Sequence, residues 1–180
     1  MDEKARLQQR AAAVKLVVLD VDGVLTDGGL FYGPQGEAMK RFDVKDGHAL
    51  VMARLAGLPA AVLTARTSDI VSVRGKELGL VAIVQGKRDK GEGLRALLAQ
   101  LATEPEACAY MGDDLNDLSP MAQVGLPACP SDAAPEVRQQ ALFISTRPGG
   151  HGAVRELVEL VLRATGRWDF VTNLMKTGKQ

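Results

Sequence analysis

The chain has 180 residues, 46% hydrophobic and 24% charged, with 22 Lys+Arg balanced by 22 Asp+Glu. At roughly 150 residues per domain this predicts one domain, residues 1–180, with enough apolar material for its own core. The balanced charge speaks against a general nucleic-acid binder, no apolar run approaches the ~20 residues of a membrane span, and the polar start MDEKARLQQRAAAVK lacks the apolar stretch of a secretory signal.

In chain order, residues 1–14 are polar and Ala-rich and predict a frayed or short helical lead-in. Leu16-Val17-Val18-Leu19 is a short apolar run that stops at Asp20. Residues 27–43, DGGLFYGPQGEAMKRFD, place Gly33-Pro34-Gln35-Gly36 between two short extended runs, the pattern of a β-hairpin projecting from the end of the first strand. Helical spacing follows over 47–57, ending at Gly57, and a second strand over Ala60–Leu63 stops at Thr64. A helix over 68–78 ends at Gly79, a strand covers Val81–Val84, and a helix covers 90–101 with Leu94, Leu97, Leu98 and Leu101 on one side. Residues 107–111 form a strand that stops at Gly112; 124–128 and 141–144 are weaker strands. Residues 153–164 carry Val154, Leu157, Val158, Val161 and Leu162 at helical spacing, and the tail from Gly166 to Gln180 lacks a long apolar face and reads as irregular.

Runs apolar at every position suit strands covered on both faces, and their alternation with helices predicts an α/β fold. It is a Rossmann-like, mainly parallel sheet with flanking helices and a projecting hairpin. Cys108 and Cys129 have no metal-type spacing and read as buried thiols of a protein in a reducing, cytoplasmic compartment.

Ligand sites in open parallel sheets lie beyond the carboxyl ends of the strands. Here those ends carry Asp20-Val21-Asp22-Gly23, Thr64-Ala65-Arg66 and Gly112-Asp113-Asp114-Leu115-Asn116-Asp117, with Lys90 opening the helix after the third strand. Clustered carboxylates repel one another unless a cation sits among them. Oxygen ligands with no His or Cys beside them suit Mg²⁺. Asp20 and Asp22, two apart in extended chain, face one way: one carboxylate can attack phosphorus, and the other can move a proton. Taken singly, each group has a plainer reading. The Asp pair can form a turn, Thr64 can cap a helix, Lys90 can be solvated, and the 113–117 cluster can be an acidic loop.

The order LDVDGVLT (19–26), Thr64, Lys90, GDDLND (112–117) resembles the four motifs of the haloacid dehalogenase superfamily. That resemblance implies Asp20 as nucleophile and Asp22 as general acid/base. It also implies magnesium held by the Asp20 carboxylate, the Asp22 backbone carbonyl and Asp113, with Asp114 and Asp117 as supporting or water-mediated ligands. The intervals 22–64 and 90–113 leave no room for a cap domain. The stretches DVDGVLTDGGLFYGPQGEAMKRFDVKDGHAL, TAR, QGKRDK, YMGDDLNDLSPMAQVGLPACP and GGHGAVREL resemble the capless members acting on 3-deoxy-D-manno-octulosonate (KDO) 8-phosphate, from about residue 15 to about residue 163. This implies a Mg²⁺-dependent phosphomonoesterase of lipopolysaccharide precursor synthesis, assembled as a homotetramer; His151 departs from the Arg of that pattern.

For an acid sugar, Arg66 is the leading carboxylate-binding candidate, with Lys40 and Arg41 of the hairpin as others. His48 either touches substrate or caps the following helix. An exposed Phe31-Tyr32 pair would suit burial against another subunit. The alternatives are a nonulosonate 9-phosphate phosphatase, a phosphotransferase and a non-catalytic assembly module of the same fold.

Overall fold

The computed structural model describes residues 2–178. The lead-in is a helix, α1 (Glu3–Ala12), followed by β1 (Leu16–Leu19), a hairpin of β2 (Phe31–Gly33) and β3 (Gly36–Met39), and α2 (Val44–Leu55). Then come β4 (Ala60–Leu63), α3 (Asp69–Leu78), β5 (Ala82–Val84), α4 (Lys90–Gln100) and a 3₁₀ turn at Pro105–Ala107. The second half holds β6 (Cys108–Met111), a 3₁₀ turn at Leu115–Asp117, α5 (Leu118–Met121), β7 (Leu126–Cys129) and α6 (Pro135–Gln140). It ends with β8 (Phe143–Ile144), α7 (Ala153–Ala164) and α8 (Trp168–Thr177).

Six strands form one sheet in the order β5-β4-β1-β6-β7-β8, and every pairing in it is parallel. The continuous apolar runs divide their side chains by the period of two. Val17, Leu19, Val62, Ala109, Met111, Leu126 and Ala128 enter one core with residues of α1, α2, α3, α7 and α8. Leu16, Val18, Ala61, Leu63, Cys108, Tyr110 and Cys129 enter the other with residues of α4, α5 and α6. Both cysteines are free and buried, and burial pushes their thiols up to about 12 for Cys108 and about 11 for Cys129, which leaves them protonated and unreactive.

The structure departs from the expected elements at three places. The second helix begins at Val44, three residues ahead of the spacing-based start, because Asp43 caps it by accepting from Lys45 N at 2.6 Å and Asp46 N at 3.2 Å. His48 is therefore an exposed residue inside that helix and caps nothing. The tail is helical as α8: Val171 is fully buried, and the Arg163 guanidinium lies 4.0 Å from the Trp168 ring centre. Two contacts one turn apart are enough to dock a helix whose apolar face is short. Lys179 and Gln180, the end of that expected tail, lie outside the described residues.

β2 and β3 form a small antiparallel sheet of their own, with Gly36 at φ +110° closing the turn. The hairpin stands out from the body: Phe31 is 42%, Met39 56% and Tyr32 64% exposed. Between Asp22 and Thr64 the chain builds only this hairpin, α2 and β4; between Lys90 and Asp113 it builds α4, one 3₁₀ turn and β6. No cap domain is inserted at either place.

Candidate active site

β1 pairs with β4 on one side and β6 on the other, so the crossovers diverge there and a crevice opens at its carboxyl end. Asp20 extends β1, its N–H donating to Met111 O at 3.0 Å, and Asp113 follows β6 one residue beyond Gly112. Asp20, Asp113 and Asp117 each offer a carboxylate oxygen within 4.8 Å of the others.

The donors around these carboxylates assign them different parts. Lys90 Nζ, almost wholly buried, lies 2.8 Å from Asp20 Oδ2 and 2.7 Å from Asp117 Oδ1, and donates to Asn116 Oδ1 at 3.3 Å. Asp117 Oδ1 also accepts from Tyr110 OH at 2.6 Å, while its Oδ2 accepts from Asp113 N at 3.1 Å and Asp114 N at 3.3 Å. Asp117 is thus saturated with donors and ties the loop together. Asp20 Oδ1 and Asp113 Oδ1 are buried and have no hydrogen-bond partner among the described residues. Two orphaned carboxylate oxygens in one acidic cluster are what a hard cation satisfies, so these residues fit a magnesium ion. Asp114 is exposed and accepts from Leu115 N at 2.8 Å, capping the 3₁₀ turn.

Electrostatics agree with that division. Burial, then the charge of Asp117, push Asp20 up to about 6 against the pull of Lys90. Burial, then Asp20 and Asp117, push Asp113 up to about 8. Burial works to lower Lys90, yet Asp20 and Asp117 together hold it above the usual lysine range. The cluster is short of positive charge.

The loop after Asp20 is fixed by glycines. Gly23 sits at φ +86°, and a Cβ there would lie 2.0 Å from Asp113 Oδ2. A Cβ on Gly149 would lie 1.8 Å from Gly23 O, so the 148–152 turn presses on the 23–27 loop. Gly150 N donates to Val24 O at 2.9 Å. Buried Asp46 accepts from Gly152 N at 3.0 Å and Arg155 N at 2.8 Å, securing that turn from α2; Gly149 N donates to Asp132 Oδ1 at 3.0 Å.

On the hairpin side, Lys40 Nζ contacts Asp22 Oδ1 and lies 2.9 Å from Glu37 Oε1. Arg66 places Nε 3.5 Å from Asp22 Oδ2 and Nη2 3.1 Å from Glu37 Oε1, with Tyr32 OH at 3.3 Å. Burial works to raise Glu37, but bonds from Ser68 and Lys40 and the charge of Arg66 bring it below the usual carboxylate range. Thr64 is buried at the end of β4, its Oγ1 accepting from Arg66 N at 3.4 Å. Arg41 stands further out, 2.9 Å from Asp27 and 3.4 Å from His151 Nε2. His48 has no hydrogen bond to any of these groups among the described residues.

Asp20, Asp22, Thr64, Arg66, Lys90, Asp113 and Asp117 thus share one rim, and Lys40 joins them. The sequence reading passed over Glu37, Tyr110 and Asp46. A glutamate on a hairpin looks solvated, a tyrosine in an apolar strand looks like core, and Asp46-Gly47 looks like a turn. Only Tyr110 left a signal, as the one hydroxyl in the β6 run.

The parallel sheet, the carboxylate rim and its buried lysine define a hydrolase site of a known class, and the chain belongs to the haloacid dehalogenase-like hydrolases, whose model matches residues 60–157. Within that family it is 40% identical over 166 residues to the 3-deoxy-D-manno-octulosonate 8-phosphate phosphatase of Yersinia pestis, spanning 92% of this chain and 89% of that protein. It is 39% identical to the same enzyme of Escherichia coli K12, over 89% of this chain and 85% of that protein. Among solved structures, the 3-deoxy-D-manno-octulosonate 8-phosphate phosphatase of Moraxella catarrhalis, in complex with a magnesium ion, a phosphate ion and KDO, superposes with TM-score 0.89. It is 38% identical, over 93% of this chain and 97% of that one.

Proposed function

We propose that this protein is a Mg²⁺-dependent phosphomonoesterase that hydrolyses KDO 8-phosphate to KDO and phosphate, for lipopolysaccharide precursor synthesis in the cytoplasm, as a homotetramer. The observation that carries this reading is the pair of buried, unpartnered oxygens on Asp20 and Asp113 beside Lys90, in a chain 40% identical to such an enzyme. The reading also places the whole chain in one catalytic domain.

Asp20, Asp113 and the Asp22 backbone carbonyl would hold the magnesium ion, which when bound offsets the negative charge shared by the carboxylates and the phosphoryl group. Asp20 attacks phosphorus through one carboxylate oxygen, forming an aspartyl-phosphate as the phosphorus–ester oxygen bond breaks. Asp22 delivers its proton to the departing sugar oxygen. Asp22 then takes a proton from water as the water oxygen attacks phosphorus, which releases phosphate and restores the Asp20 carboxylate. Lys90 keeps Asp20 oriented, and Thr64 and the backbone amides near Gly23 and Ala65 supply donors for phosphoryl oxygens. Arg66, with Lys40 beside it, faces the sugar; Arg41 is placed to reach it only from the outer rim.

Phosphate release from KDO 8-phosphate and from a nonulosonate 9-phosphate, each with Mg²⁺ and with EDTA, tests this. Mg²⁺-dependent preference for KDO 8-phosphate is expected. Preference for the longer sugar moves the chain to the second substrate, and no release from either rejects the reading. Asp20→Asn should abolish turnover in a folded protein.

A further inference from the structure

Glu37 lies on the hairpin, yet its side chain is only 13% exposed. Three donors converge on it: Lys40 Nζ, three residues on, at 2.9 Å, and from the loop after β4 Arg66 Nη2 at 3.1 Å and Ser68 Oγ at 2.6 Å. Lys40 and Arg66 also reach Asp22, one on each carboxylate oxygen. Asp22, Lys40, Glu37 and Arg66 therefore form a closed ring of alternating charge. Without Glu37, Asp22 alone would face two cations that repel each other. Ser68 ties the ring to the body, since its N–H donates to Gln85 Oε1 at 2.7 Å just ahead of α3. Within the ring Arg66 spends Nε and Nη2 on Asp22, Glu37 and Tyr32. Its Nη1 has no hydrogen bond among the described residues, and the side chain is 39% exposed.

We propose that Glu37 is a positioning residue for substrate selection. It pins Arg66 and Lys40 on either side of Asp22, so that the free Nη1 of Arg66 stands ready for the carboxylate of a sugar acid whose ester oxygen lies at Asp22. The proposal rests on the reading of the substrate as a sugar acid phosphate. A neutral sugar phosphate brings nothing to pair with that guanidinium, so the ring rewards the acid group.

The test compares the parent with Glu37→Ala and Glu37→Gln on KDO 8-phosphate and on p-nitrophenyl phosphate. The second substrate has no carboxylate, and its phenolate leaves without a proton. For Glu37→Ala, KM for KDO 8-phosphate should rise about tenfold or more with little change in kcat, while p-nitrophenyl phosphate turnover stays within about twofold. Glu37→Gln, which keeps an acceptor oxygen, should fall between parent and Ala. An unchanged KM, or an equal loss on both substrates, overturns the proposal by showing no role or a merely structural one. A parent that hydrolyses p-nitrophenyl phosphate but neither KDO 8-phosphate nor a nonulosonate 9-phosphate removes the substrate reading and this proposal together. An active parent with an unaffected Glu37→Ala removes this proposal alone.

Discussion

Asp113 and Asp117 stand four residues apart in one acidic loop, and only their hydrogen-bond partners tell them apart. Asp113 Oδ1 is buried with no donor among the described residues, whereas Asp117 accepts from Lys90, Tyr110 and two backbone amides. Asp113→Asn removes a carboxyl that burial and the charges of Asp20 and Asp117 push up to about 8, and with it the cost of burying that group, so in EDTA near neutral pH the variant should melt above the parent by calorimetry. Adding MgCl₂ should raise the parent's Tm, by up to ~2.7 kcal/mol of stability at a hundred times Kd, and leave the variant's nearly unchanged. Asp117→Asn turns an amide NH₂ toward donors and strips Lys90 of a buried partner; denaturant titration should show a loss of about 3–5 kcal/mol. The acidic residues themselves were legible from their place at strand ends. Which of them keeps a free oxygen was not, because that depends on Tyr110 and Lys90, residues distant in the chain.

At the scale of elements, α4 ends with Ala102 at φ +48°. Thr103 N donates to Leu98 O at 3.0 Å and Ala102 N to Ala99 O at 3.3 Å, the Schellman ending that glycine normally makes. Ala102→Gly should relieve the left-handed strain and add up to about 1 kcal/mol, read from the urea midpoint. The segment before α7 is held differently, by Glu156 accepting from Ser145 Oγ at 2.7 Å, Thr146 N at 2.8 Å and Thr146 Oγ1 at 2.6 Å. Burial works to raise Glu156, but those bonds hold it below the usual glutamate range. Its stabilising effect is therefore fully present above that range and is lost as the pH falls through its lowered value. The Tm gap between parent and Glu156→Gln should be widest near neutral pH and close as the pH drops below about 4. Strands β1 and β4 were legible to the residue, because every position is apolar. The weaker β7 starts at Leu126, two residues late, because Gly125 packs under Glu106, where a Cβ would lie 1.9 Å from the carbonyl oxygen. α8 was missed although Trp168, Val171, Leu174 and Met175 repeat at helical spacing, because that face is only about two turns long.

For the molecule as a whole, the sheet and its two cores followed from the alternation of apolar runs, whereas what the hairpin does did not. Its Phe31, Tyr32 and Met39 remain exposed together, an apolar patch on a projecting element. If the proposed tetramer assembles through it, Phe31→Asp with Met39→Asp should reduce the mass seen by light scattering from four chains to one. A parent that already scatters as one chain rejects that assembly. Tyr32 is left untouched in this test because its hydroxyl lies 3.3 Å from Arg66.

The pressing of Gly149 and Gly150 onto the 23–27 loop also bears on the order of synthesis. Asp20 and its loop emerge from the ribosome long before the turn at 148–152 that holds the loop in place. β6, which carries Asp113 beside Asp20, arrives between them. A nascent chain halted before residue 148 carries all six sheet strands but lacks the contacts of Gly149 and Gly150 on the 23–27 loop. The loop beside Asp20 thus gains its packing from the 148–152 turn only after the residues through Gly150 have been made.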